Sequence, residues 1–215
     1  LSFENRVGNL DATSVNQTIT FNGRSVGLGT INSGTGSSTI SAFYDIHDNN
    51  GFGVTNITAG SVSLYSTNGG AAGSLAISAD TATTGNITSS VSGSAPNGGI
   101  SIRNNAAATP GNIDILDGAM AGNSVRFAHG GSDLVLTASH SFEVDNGGDL
   151  AILAGSNMTL NAGGPFINVP GAASSVLLGA VGAMDFAGAF SLPNNNLGLA
   201  AATIQVDSAV DAKNI

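Results

Sequence analysis

The chain has 215 residues, 31 of them glycine, with 9% charged and 5% aromatic residues and neither tryptophan nor cysteine. This excludes a wide core of bulky side chains, a disulfide framework, a thiolate metal site and a cysteine nucleophile. A net charge of −9, from 14 acidic and 5 basic residues, argues against nucleic acid and anionic membrane surfaces, which are recognised by clustered cations. Disorder is also excluded, because mean hydropathy is +0.22 and Ile, Leu, Val and Phe recur throughout. The apolar run from Val176 to Phe190 is broken by Asp185 and three Gly and is flanked by Ser174, Ser175 and Ser191, which makes it a poor membrane span. Leu1 is not a Met, so a mature or excerpted form is expected.

Short alternating runs bounded by Gly, Asn and Asp dominate the chain, and they are the strand signal. Residues 1–56 alternate weakly and carry the aromatic cluster Phe43, Tyr44 and Phe52. From there an apolar-x-apolar unit recurs: Val62/Leu64, Leu75/Ile77, a looser Ile87/Val91, Ile100/Ile102, Ile113/Ile115 and Val125/Phe127. It continues as Leu134/Leu136, Phe142/Val144, Leu150/Ile152, Met158/Leu160, Ile167/Val169, Val176/Leu178 and Met184/Phe186. Pro193 and three Asn then open a C-terminal segment holding one more strand, Thr203 to Val206.

First apolar positions step by 12 or 13 residues up to Val125 and by 8 or 9 beyond it. Two long steps and three short ones both make a period of about 25 residues, so each turn holds two strands at first and three later. Gly73-Ser74-Leu75-Ala76-Ile77-Ser78 aligns with Gly98-Gly99-Ile100-Ser101-Ile102-Arg103, and Gly85-Asn86-Ile87-Thr88 with Gly111-Asn112-Ile113-Asp114. The expected fold is therefore all-β: a parallel β-helix, or solenoid, of about six such coils over residues 57–206. Ile102, Ile115, Phe127, Leu136, Ile152 and Leu160 should point inward. The competing fold is an antiparallel sandwich, which five Asn-Gly pairs favour locally. The domain reading is an N-terminal cap or joining segment (1–56), the solenoid (57–191) and a C-terminal strand and tail (192–215).

Candidate chemistry is sparse. Asp45, His47 and Asp48 form the densest titratable cluster, beside the turn Asn49-Asn50-Gly51, and read as a solvated loop. His129 and His140 lie 11 residues apart without a third ligand. Gly130-Gly131-Ser132-Asp133 and Gly147-Gly148-Asp149 are halves of a calcium-roll repeat whose other half is missing. Asp114 and Asp117 are the best local carboxylate pair for cleaving a glycosidic bond, and Arg103 and Arg126 could stack on one face. The sequons at Asn16, Asn56, Asn86 and Asn157 are expected by chance at this composition. No cofactor and no metal are expected, and the chain reads as a non-enzyme.

The motifs Gly111-Asn112-Ile113-Asp114-Ile115, Gly147-Gly148-Asp149-Leu150-Ala151-Ile152 and Ser156 to Gly164 resemble the repeats of filamentous-haemagglutinin-like bacterial exoproteins. That resemblance implies a β-helix, an extracellular or cell-surface setting and a structural or adhesive role. It brings no catalytic residues. The expected function is a rigid rod that displays surface or assembles end to end into a filament. The alternatives are a β-helical polysaccharide-binding or polysaccharide-cleaving enzyme, and a polymer subunit joined to its neighbour by strand addition. The expected partners are copies of the chain or flanking segments of a longer one, with carbohydrate or a cell surface as a further partner. Self-association is assigned to Leu1, Phe3, Thr203, Ile204 and Val206, near the two ends, because a solenoid leaves unpaired strand edges only there.

Overall fold

The computed structural model describes residues 6–68, 75–92, 99–118, 124–144, 148–171 and 174–215. They form a β-solenoid of about seven turns, each of about 24 residues, with no helix. Every ladder among the described residues is parallel. Hairpins are absent from these residues, although Asn22-Gly23 and Asn50-Gly51 carry hairpin chemistry. Asn22-Gly23 ends a strand paired in parallel with Ser41-Ala42, and Asn50-Gly51 lies in a loop between two strands of one parallel sheet. The apolar run from Val176 lies in strands, and among the described residues no helix is long and apolar enough to cross a membrane.

Three sheets run along the axis. Sheet 1 stacks strands from Arg6–Thr13 through Ile77–Ala82, Ile100–Asn104, Val125–His129, Leu150–Ala154 and Ser175–Ala180 to Val210–Asn214. Sheet 2 runs from Ile19–Gly23 through Asn86–Val91 and Asn112–Asp117 to Phe166–Asn168. Sheet 3 begins only at Leu134–Leu136 and ends at Thr203–Val206. The change from two faces to three falls where the apolar spacing shortens. The strands of residues 6–48 stack in the same sheets 1 and 2 as those that follow.

The core is a set of columns. Ile77, Ile100, Val125, Leu150 and Val176 lie on one another in sheet 1, and Leu134, Met158 and Met184 in sheet 3. All six expected inward residues are buried, none more than 1% exposed. Phe127 and Phe142 meet across the interior with ring centroids 5.9 Å apart. Each coil is too small to close a core alone. Stacking at about 4.8 Å lets each side chain bury its area against the coils above and below.

One alignment is corrected. Ile77, not Leu75, stacks on Ile100, and Ala79, not Ile77, stacks on Ile102. Leu75 is 42% exposed. A two-residue slip keeps every inward side chain inward, because side chains alternate with period two, so the hydrophobic pattern cannot detect it. Its consequence is on the outside, where Asp80 rather than Ser78 lies beside Arg103.

Polar corners are satisfied by buried amides. The Asn104 side chain donates to Thr83 O and accepts from Thr83 N, both at 3.0 Å. Asn56 donates to Leu28 O and to Asp48 Oδ1 and accepts from Asp80 N at 2.8 Å. Each amide closes a corner that no ladder bond could reach.

Candidate functional site

Two regions carry the functional question: the open coil ends and a notch on the outer face of sheet 1.

At the C-terminal end, Thr203–Val206 pairs with Ala183–Phe186 on one side, and among the described residues nothing pairs on its other side. Ile204 stacks on the buried Met184 and Val206 on the buried Phe186, yet they are 44% and 52% exposed. Val210 and Ala212 of the neighbouring last strand are only partly buried. These are inward residues of a coil that no other coil of the described residues covers. At the other end Leu10, Ile19 and Phe21 are likewise partly buried against the core. Thr203, Ile204 and Val206 thus lie on an open edge, while Leu1 and Phe3 lie outside the described residues.

The notch is built by an excursion. After Ile46–Asp48 the chain leaves the coil, and it rejoins sheet 1 at Ile57–Thr58. Gly51 and Gly53 hold φ near +87° and +86°, a left-handed conformation that glycine adopts without strain. Asp48 Oδ1 anchors the loop by accepting from Asn50 N at 2.8 Å, Gly51 N at 3.1 Å and the Asn56 amide at 2.9 Å. Gly53 N donates to Asp80 Oδ2 at 2.6 Å. The loop lays the Phe52 ring over the Arg103 guanidinium, 4.8 Å from centroid to Cζ. Arg103 Nε donates to Asn105 Oδ1 at 2.9 Å. The result is a partly enclosed pocket of about 140 Å³ bounded by Asp48, Phe52, Asp80, Ser101, Arg103 and Arg126.

Its electrostatics are mixed. Asp80 is only 5% exposed, and burial pushes its carboxyl above the ordinary aspartate value. The neighbouring Asp48 adds to that rise, while the Gly53 N–H and Arg103 oppose it. Arg126 is exposed, and no ion pair or hydrogen bond reaches it among the described residues. Arg103 and Arg126 lie on the same outer face but do not stack: Arg103 is level with Ala128 and Arg126 with Ser101, and the carboxylates lining the pocket with them are Asp48 and Asp80. Asp114 and Asp117 are not brought together: three residues apart on a strand, they point to opposite faces. Asp114 is exposed, and Asp117 is buried at a corner, accepting from Gly99 N.

The remaining candidates have structural partners. His47 bonds Asp45 at 3.1 Å, and Asp45 also takes the Ser25 hydroxyl at 2.6 Å. Asp48 orients the loop rather than the imidazole. His129 is buried between Asn104 and Ser132. His140 is buried too: Nδ1 accepts from Thr137 N at 2.9 Å and Nε2 donates to Pro110 O at 3.2 Å. Burial holds both imidazoles below the ordinary value. Asp133 accepts from the backbone and side chain of Asn157, and the Ser156 hydroxyl and these bonds hold its carboxyl below the ordinary value. Asp149 accepts from Ser175 N at 2.8 Å, and no group of three or more ligating side chains is assembled among the described residues. The Phe43–Tyr44 cluster forms a corner stack, with the Arg24 guanidinium 5.1 Å from the Tyr44 centroid.

No family model, no curated protein and no solved structure matches this chain.

Proposed function

We propose that the chain is a non-catalytic structural or adhesive rod of the bacterial cell surface, joined end to end to further β-structure through its open coils. The observation that carries this reading is the unfinished last coil, where the inward side chains Ile204 and Val206 are about half exposed beside an unpaired strand edge. Parallel strands with free edges template further pairing, and a neighbouring coil would cover those residues in the way that Thr203–Val206 covers Met184 and Phe186. The first coil of a second copy and a flanking coil of a longer chain both have that form. The low charge and Asn/Ser/Thr-rich surface, and the resemblance to filamentous-haemagglutinin-like repeats, support the extracellular setting. A carbohydrate-facing role is favoured by one observation of its own, the sheet 1 notch.

The test is sedimentation velocity on the 215-residue chain and on the I204D/V206D variant, which keeps the last coil and charges its open face. The parent chain should sediment as a concentration-dependent series of oligomers, and the variant as a folded monomer. A parent chain that stays monomeric at high concentration contradicts the proposal. So does a variant that assembles as well as the parent.

A further inference from the structure

The outer faces of a solenoid need no loops, so an excursion that folds back onto one of them calls for explanation. Asn49 to Thr55 is such a segment. Its anchors are many: three hydrogen bonds to Asp48 Oδ1 at or near its ends, and the Gly53 bond to Asp80. Yet the apolar residue it carries is not buried, since Phe52 remains 78% exposed. The loop therefore adds little to the core. What it does is fix one guanidinium and wall off a small pocket.

The hydrogen-bonding capacity left in that pocket is specific. Arg103 uses Nε on Asn105 and one face on Phe52, and no hydrogen bond from its two terminal nitrogens is found among the described residues. Arg126, one coil further along, has no hydrogen bond or ion pair among the described residues. The Asp80 carboxylate accepts only the Gly53 N–H among these residues. Ser101 adds a hydroxyl beside Arg126 on the same outer column. Two guanidinium donors thus face two carboxylate acceptors, with a half-open aromatic face at the rim. A dianionic phosphate or sulfate would meet Asp48 and Asp80 and be repelled. A plain hydrocarbon would leave the charges unsatisfied. A ligand with one carboxylate among several hydroxyls on a ring matches the set. The carboxylate takes an Arg fork, hydroxyls donate to the Asp oxygens, and the apolar face of the ring lies against Phe52.

We propose that this notch binds a carboxylated sugar unit, with Arg126 clamping the carboxylate, Asp48 and Asp80 accepting sugar hydroxyls, and Phe52 supporting the ring. The inference deepens the adhesive reading by naming a ligand class and rests on that reading only for its setting. Assembly and sugar binding are separate readouts, so either can fail alone.

The experiment is titration calorimetry on the 215-residue chain with three probes: tetragalacturonate, sialyllactose and lactose. At least one of the two acidic sugars should bind, which also tells the two sources of the carboxylate apart, and lactose should bind at least about tenfold more weakly. R126Q should weaken the acidic sugar by about tenfold or more, with R126K between the two because it keeps the charge and loses the fork. F52A should weaken it as well, and R24Q, on a different corner, should leave it unchanged. Thermal midpoints establish that the variants are folded, which is expected because Arg126 and Phe52 are exposed. Absence of binding by both acidic sugars overturns the proposal. Equal affinity for lactose overturns it too, as does an R126Q variant that binds like the parent.

Discussion

At the residue scale the molecule depends on a few side chains that a narrow core cannot spare. Phe127 and Phe142 are the bulkiest groups of the central coils and fill the interior against each other. Truncating Phe127 to Ala should cost about 3–5 kcal/mol, read from the urea midpoint at constant m-value. Asn104→Ala strands the Thr83 N–H and C=O in a buried corner and should cost about 1–3 kcal/mol in the same assay. The two buried imidazoles make stability depend on pH. Burial lowers their folded values below the ordinary 6.5, so near that pH the unfolded chain binds more protons than the folded one. Their contribution is complete above about pH 6.5 and is lost as pH falls below it, toward the folded values. Asp80 has the opposite sign in a lower window. Its raised carboxyl favours the folded state increasingly as pH falls toward 3.8. Unfolding free energy should therefore drop between pH 7 and pH 5.5, and H140Q should show a smaller drop. A parent profile that is flat over that interval contradicts the assignment of neutral, buried histidines.

At the scale of the strand, most of the fold was legible in the sequence and the notch was not. Apolar-x-apolar spacing located the strands, and the shortening of the step after Val125 located the start of sheet 3. Inward phase was legible because one wrong residue would have turned every core side chain out. Register was not, because a slip of two preserves that phase. The 25-residue alignment placed Ser78 beside Arg103, whereas the 23-residue stacking places Asp80 there. Asp48 and Phe52 were equally hidden, since their positions depend on an excursion whose path the periodicity does not encode. A cysteine pair tests the register directly. Ser78 and Ser101 are neighbours on adjacent parallel strands, so S78C/S101C should oxidise to an intramolecular disulfide. The pair S78C/R103C, which the 25-residue alignment would make neighbours, should form it poorly. The reverse result would restore that alignment and dissolve the notch. At the end strand, Ile204 and Val206 stand over Met184 and Phe186 and remain about half exposed, with no described strand above them. I204D/V206D should block assembly without unfolding the central coils, because charged groups at an edge oppose further pairing.

At the scale of the whole molecule, a stack of similar coils is a rod whose strands pair with the coils above and below; among the described residues free edges lie at the terminal coils and, within the rod, at Leu134–Leu136 and Phe166–Asn168, where sheet 3 begins and sheet 2 ends. About seven turns at about 4.8 Å each give a unit about 34 Å long. If units continue the stack through Thr203–Val206 and Val210–Asn214, the assembly keeps one coil spacing throughout and repeats at the unit length. Side-by-side packing would give neither, and the chain's net charge of −9 opposes it. The most direct test is electron cryo-microscopy of the purified chain at high concentration. Filaments one solenoid wide are expected, with a layer spacing near 4.8 Å along the axis and an axial repeat near 34 Å. Discrete single particles at that concentration, or fibres whose strands pair through the sides of the coils, would contradict it.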